Sequence, residues 1–317
     1  MGATTIEWTK YVWPIVQGCD LVSPGCTNCY AVPLLWRLQH NPLAKVSDPI
    51  AGLVTKNKYG KLHFTGKVAL RHDRLEDPLK WKTPRRIFVP SHGDIFHKYV
   101  PFDFLDRIFL TMAYARRHTF QVLTKRGDRM QRYITDPETP NRINALLRAE
   151  TAPYVNWQLK TWPLPNVWLG ISAEDQTRLT ERWQFLRDTP AALRFLSYEP
   201  ALEAIDLTAI CNGWHFEDAL AGVRYHDTPA GGGGATMKIP KLDWGIGGLE
   251  SGNKAREGNV RWLHSFKNQF QRAGVPVFIK QLGRRPMLDT EPMVLKDRKG
   301  GDPEEWPIDL RVRQFPT

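Results

Sequence analysis

The chain has 317 residues, 42% of them hydrophobic, and a formal net charge of +11. That length and apolar content suit one domain over 1–317, a single large core carrying insertions. No apolar run approaches the length of a membrane span, and the first residues lack the basic-then-apolar pattern of a secretory signal. A cytoplasmic, reducing setting with no membrane association is therefore expected, and four cysteines in so long a chain do not read as a disulfide scaffold. The basic balance favours an anionic partner, nucleic acid being the commonest. A generic basic protein is the plain alternative, because the cations are dispersed in pairs such as Arg85-Arg86, Arg116-Arg117 and Lys125-Arg126. Twelve tryptophans could serve the core or stack on unpaired bases.

In chain order, the first feature is the loop 18–30, Gly-Cys-Asp-Leu-Val-Ser-Pro-Gly-Cys-Thr-Asn-Cys-Tyr, which places Cys19, Cys26 and Cys29 at C-x6-C-x2-C spacing. Short, nearly continuous apolar runs follow at 67–70, 86–90, 119–124, 166–171, 193–197, 242–247 and 277–280. Such runs are what parallel strands covered on both faces look like. Helical spacing of apolar residues marks 102–117, with Phe104, Leu105, Ile108, Phe109, Met112 and Ala113 on one face, and similar patterns mark 177–187 and 260–273. Pro190 and Gly274 are stop signals for the latter two. This alternation predicts the α/β class, as a partial (β/α) barrel of about six to seven parallel strands with loop insertions. An open doubly wound sheet is the structural alternative. The stretch 140–165 shows little periodicity, and 211–240, with Gly231 to Gly234, reads as a flexible loop or lid.

Polar residues gather just after the strand candidates: Ser91 and Asp94, Lys125 and Arg126, Ser172 and Glu174, Glu199, then Gly247, Gly248 and Glu250. In a barrel these ends share one rim, where active sites lie. Such carboxylates suit a ribose hydroxyl or an amino group. Taken singly, each reads more simply as an ion pair to Lys125, Arg126 or Lys280. The glycines of Gly245-Ile246-Gly247-Gly248 allow either a close ligand approach or a plain tight turn. Three soft thiolates on one loop suit an iron–sulfur cluster. Zinc, with Cys211 or a histidine as fourth ligand, is open too, and so are buried, unligated cysteines. Cys211 itself reads as a core residue, since free cysteine is usually buried, with hydrogen donor as the lesser role.

The loop residues, together with Ile6-Glu7-Trp8-Thr9, residues 120–126, residues 166–170, Glu199-Pro200, residues 247–252 and Phe278-Ile279-Lys280-Gln281, resemble the radical S-adenosylmethionine (radical SAM) superfamily. More closely, they resemble a phage- and prophage-encoded branch of it. The first cysteine gap is six where the usual superfamily motif has three, a departure that bears on cleavage chemistry more than on cluster binding. The resemblance implies a radical-SAM-like partial barrel in which Cys19, Cys26 and Cys29 hold a [4Fe-4S] cluster. Its fourth iron would bind S-adenosyl-L-methionine (SAM), which an electron would cleave to a 5′-deoxyadenosyl radical. An external electron donor such as flavodoxin or ferredoxin is implied, in the cytoplasm of a bacterial host. Tyr30 would lie near the adenine, Ser91 and Asp94 near the amino group, Ser172 and Glu174 near the ribose, and 247–252 near the methionine end or substrate. Lys125 and Glu199 belong to the same expected rim.

The leading expectation is thus a radical SAM enzyme acting on a modified nucleobase in phage DNA, as in rearrangement of a hypermodified thymidine. A DNA-lesion repair lyase and a small-molecule enzyme share that chemistry. A non-enzymatic, metal-stapled nucleic-acid-binding protein is the reading from another class.

Overall fold

The computed structural model describes residues 4–41, 48–150, 158–213, 215–226 and 236–317. The chain divides into two compact units: residues 1–22, 29–169 and 189–192 form the first, and residues 23–28, 170–188 and 193–317 form the second. No described helix is long and apolar enough to cross a membrane.

The first unit contains β1 (Tyr11–Val12), β2 (Val16–Gly18), α1 (Ala31–Gln39), β3 (Val54–Lys56), β4 (Leu62–Phe64), β5 (Ala69–Leu70), β6 (Arg86–Val89), β7 (His92–Gly93), α2 (Phe102–Tyr114), β8 (Thr119–Thr124), α3 (Gly127–Thr135) and α4 (Thr139–Glu150). The division between the units falls within β9 (Val167–Ser172). α2 buries all six residues of its expected apolar face. It stops at Tyr114, three residues short of expectation. α1 carries Pro33 in its first turn, where the missing N–H costs no intrahelical bond. Leu35 of α1, with Ile50, Leu53, Val54 and Phe64, makes a small core against which Cys19 and Cys29 pack.

The second unit contains α5 (Gln176–Arg187), β10 (Leu193–Tyr198), β11 (Ile210–Asn212), β12 (His215–Asp218), β13 (Val223–His226), β14 (Thr236–Lys238), β15 (Trp244–Gly248), β16 (Gly258–Asn259), α6 (Val260–Arg272), β17 (Val277–Gln281), β18 (Pro286–Leu288) and β19 (Glu291–Pro292). α5 is capped by Asp175, whose carboxylate accepts from Arg178 N at 2.7 Å. α6 is capped by Asn259 and followed by Gly274 at φ +65°, the stop signal expected there.

One seven-stranded sheet has the order β1-β6-β8-β9-β10-β15-β17. Pairing is parallel at β1–β6, β6–β8, β10–β15 and β15–β17. The α/β class with a parallel sheet is therefore present. Strands join in chain order without reversal, which excludes the doubly wound alternative, since that topology needs a switch point.

Three expectations are corrected. The apolar run 67–70 yields β5, which pairs antiparallel with β2 outside the large sheet; the two-residue β1 occupies the edge instead. The stretch 140–165 begins with most of α4, whose Ile143 and Leu147 are buried, while 151–157 lie outside the described residues. The stretch 211–240 is no plain loop: β11 to β14 form a four-stranded antiparallel sheet. The Gly231 to Gly234 run lies outside the described residues.

That sheet is tied to α5 by a buried charge. Glu217 is fully buried, accepts from Trp183 Nε1 at 2.7 Å, and pairs with Arg224 at 2.8 Å and with Arg187. Burial works against its charge, but Arg187 and Arg224 hold the carboxyl below the ordinary value. Removing one partner of a buried pair strands the other charges. Glu217→Ala should therefore lose about 3–5 kcal/mol in urea unfolding, and a loss under about 1 kcal/mol would refute the network's structural role.

His92 gives the first unit a pH dependence. Its Nδ1 faces Gln17 Nε2 at 3.2 Å across the β2–β7 pair. Burial, helped by the Arg74 charge, pushes the imidazole down to about 4. The unfolded chain takes up that proton near about 6.5. Between those values the unfolded state binds more protons, so stability falls with falling pH. The His92 contribution should be complete above about pH 6.5, with on the order of 3 kcal/mol lost by about pH 4. Unfolding midpoints of wild type and His92→Gln between about pH 7 and pH 4 check this, with the variant expected to fall less steeply. Parallel curves would refute it.

Candidate functional site

In the first unit the cysteine loop leaves β2 through Gly18, which sits at φ +89°. A Cβ there would come within 2.3 Å of the Lys67 carbonyl oxygen, so only glycine fits. The β2–β7 register sets Gly18 opposite Gly93, which ties the start of the loop to the segment holding Ser91 and Asp94.

Asp94 is the hub of this segment. Thr124 Oγ1 donates to its carboxylate at 2.8 Å, Phe96 N at 2.9 Å and Lys125 N at 3.2 Å. Arg126 Nη1 adds a fourth donor group at 2.9 Å. The same guanidinium bonds Asp20 through Nη2 and donates from Nη1 to the Cys19 sulfur at 3.6 Å. His97 Nε2 and Lys98 Nζ lie 3.2 and 3.5 Å from the Asp20 oxygens. Burial opposes the Asp20 charge, but Arg126, His97 and Lys98 hold the carboxyl below its usual range. Burial pushes the Cys19 thiol up to about 12 against the pull of Arg126. Burial also works against the Arg126 cation, but Asp94, Cys19 and Asp20 hold its pKa above the ordinary value. Tyr30, half exposed, donates its hydroxyl to the Ser91 carbonyl at 2.6 Å. Ser91 is buried, and its Oγ has no hydrogen-bond partner among the described residues.

In the second unit Cys26 closes the 3-10 turn Pro24–Cys26, with the Ser23 hydroxyl 3.7 Å from its sulfur. Gly25 N donates to Glu174 at 2.9 Å, and this fully buried carboxylate also pairs with Arg182 at 3.1 Å. Arg182 in turn donates to the Ser172 carbonyl at 2.6 Å. Asn28 donates to Glu250 at 3.1 Å and to the Lys254 carbonyl at 2.9 Å. Glu250 is further clamped by Arg256, which holds the carboxyl below the ordinary value against its burial. Glu199 receives Lys280 and Gln281, and Ser172 Oγ reaches the Glu199 carbonyl at 3.4 Å.

The expected glycines have packing partners. A Cβ on Gly247 would meet Phe266 at 2.9 Å, and one on Gly245 would meet Phe270 at 2.4 Å, so these residues seat the rings of α6. The β15–β17 register shifts between Gly247 and Gly248, where the strand ends. Cys211 is a correction: it is exposed on β11, not in the core, with its sulfur 3.8 Å from the Gly213 carbonyl. A three-residue strand at a sheet edge buries only alternate residues, and here Ile210 takes the inward place.

None of the four cysteines forms a disulfide. Cys19, Cys26 and Cys29 are neither fully buried nor fully exposed, unlike typical free cysteine, which is among the most buried residues. Among the described residues no three His, Cys, Asp or Glu side chains are gathered as metal ligands. The donor types are nevertheless ones that suit an iron–sulfur cluster with SAM: the loop carries three soft thiols, an N–H points at one sulfur, and Ser91, elsewhere in the first unit, has a buried hydroxyl with no hydrogen-bond partner among the described residues. The carboxylates suit positioning better than proton transfer, because Asp20 and Glu250 are held ionised by guanidinium partners. Sequence reasoning missed Asp20, Asn28, His97, Arg182 and Arg256. For Asp20 beside Cys19 and Asn28 beside Cys29 the available signal was nearness in sequence to the chosen residues, and Arg182 and Arg256 had none.

No curated protein and no solved structure matches the chain. A family model described as "Protein of unknown function (DUF5131)" matches residues 3–301. The chain belongs to that family, since the match covers nearly its whole length.

Proposed function

We propose that the chain is a radical SAM enzyme whose Cys19, Cys26 and Cys29 hold a [4Fe-4S] cluster, and that it acts on a modified nucleobase in phage DNA. The observation that carries the reading is that none of the three thiols of the C-x6-C-x2-C loop is tied up in a disulfide and all are only partly buried, in a chain with the resemblance described above. The fold enters this reading as a radical-SAM-like partial (β/α) barrel. Its support is the α/β class with strands added in chain order.

When bound, cluster and SAM supply one-electron cleavage to methionine and a 5′-deoxyadenosyl radical that takes a hydrogen from the substrate. The chain's residues bind, orient and exclude water. Ser91 Oγ, buried and without a partner among the described residues, can accept a hydrogen bond from the amino group of SAM. Asp94 holds Arg126 and the Lys125 backbone in place beside it. Tyr30 presents its half-exposed ring to the adenine. Ser172, Glu174, Glu199, Gly247, Gly248 and Glu250 support the rim from behind: the carboxylates spend their oxygens on partners in the chain, so these residues hold the strand ends in place for the ribose and the methionine end without touching them. The +11 charge attracts the DNA backbone, and a flavodoxin or ferredoxin delivers the electron.

The test uses anaerobically purified protein. Iron and sulfide are counted, then SAM and dithionite are added and 5′-deoxyadenosine is measured. About four irons per chain are expected, with 5′-deoxyadenosine formed and both lost in Cys26→Ala. DNA binding that weakens steeply with salt would extend the reading to a nucleic-acid substrate. One bound zinc with SAM left intact would sink the radical reading, in favour of a metal-stapled binding protein.

A further inference from the structure

We propose that Arg126 tunes the reduction potential of the cluster by donating a hydrogen bond to the sulfur of Cys19. The proposal rests on the reading above that Cys19 ligates iron. Arg126 follows β8 and occupies the N-cap position of α3, with its side chain only 12% exposed. Its fork meets three acceptors: Asp94, Asp20 and the Cys19 sulfur.

The two carboxylates do not depend on Arg126 alone. Asp94 already receives Thr124 Oγ1, Phe96 N and Lys125 N, and Asp20 has Lys98 and His97 beside it. They do fix where the fork points. With Nη2 on Asp20 and one Nη1 proton on Asp94, the other Nη1 proton faces the sulfur at 3.6 Å. A lysine could not meet three acceptors in this planar arrangement.

Reduction adds one electron to a cluster that is already electron-rich at its thiolates. A hydrogen-bond donor at a ligating sulfur, carrying a positive charge in a nearly buried position, favours the reduced state and raises the potential. Cys19 is then a ligand whose electron density a charged donor draws off. Arg126 is a positioning residue on this account, not a catalytic one.

The experiment compares wild type, Arg126→Lys and Arg126→Gln, each reconstituted anaerobically with iron and sulfide. Iron is counted first, and the midpoint potential is then measured by dithionite titration monitored by electron paramagnetic resonance. Both variants should keep wild-type iron and shift to more negative potential, Gln further than Lys. Lys98→Gln removes an equal charge from the same Asp20, but that side chain is 63% exposed and screened, so its potential should stay at wild type. Arg126→Gln with full iron and an unchanged potential would overturn the proposal and leave Arg126 as a pin for the loop. Where the Gln variant loses its cluster, the Lys variant decides: a lower potential supports the proposal and an unchanged one overturns it. Wild-type protein that takes up no iron defeats the cluster reading itself, and this proposal with it, before any potential is measured.

Discussion

A carboxylate taken out of water must have its oxygens met by donors, or its burial is ruinous. Asp94 sits under that constraint, and much of the first unit's site is arranged to satisfy it. Its donors come from its own turn at Phe96, from the end of β8 at Thr124, and from Lys125 and Arg126 beyond it. Meeting the demand of one buried charge thus locks the loop after β6 to the loop after β8. It also fixes the position of Arg126, and through Arg126 those of Asp20 and Cys19. Glu174 follows the same logic within the second unit. Fully buried, it takes Arg182 on one oxygen and the Gly25 amide on the other, so the turn holding Cys26 is set by the needs of a carboxylate far along the chain.

The parallel strands could be read because each is a continuous apolar run, a pattern that a sheet covered on both faces imposes on sequence. Six of the seven runs lie in the large sheet, within a residue or two of their expected bounds. The exception shows the limit of that signal. Residues 69–70 are as apolar as a core strand but serve a small sheet beside the cysteine loop, while β1, two residues long, is too short to show any pattern. α1, α3 and α4 were hidden for different reasons. Pro33 reads as a breaker until its place in the first turn is known. α3 is largely polar, and α4 buries only a narrow stripe. The sheet β11 to β14 was masked by neighbouring glycines and by exposed, polar strands whose one deeply buried charge, Glu217, looks like any surface acid in sequence.

The site was legible as a set of residues and less so as a set of partnerships. Asp94 with Arg126 and Glu199 with Lys280 are ion pairs that sequence proximity to strand ends already suggested. Arg182 and Arg256 were not foreseen, because each reaches its carboxylate from eight or six residues further along an element or loop whose path the sequence does not reveal. Gly245 and Gly247 illustrate a related ambiguity. Strand glycines signal close approach, and here what approaches is the aromatic face of α6.

Pairing also bears on what chemistry the residues can do. A general acid or base needs a proton affinity near the working pH, and guanidinium partners hold Asp20 and Glu250 well away from it. Glu174 and Glu199 spend their oxygens on Arg182, Gly25, Lys280 and Gln281. The groups suited to a ligand are of another kind: three thiols outside any disulfide and only partly buried, and the buried Ser91 hydroxyl. Soft sulfur donors with a fixed N–H beside one of them suit a redox metal better than proton transfer. On the proposed reading, chemistry falls to a bound cofactor, and the charged residues around the thiols act as scaffolding that holds them in place and sets their electronic surroundings.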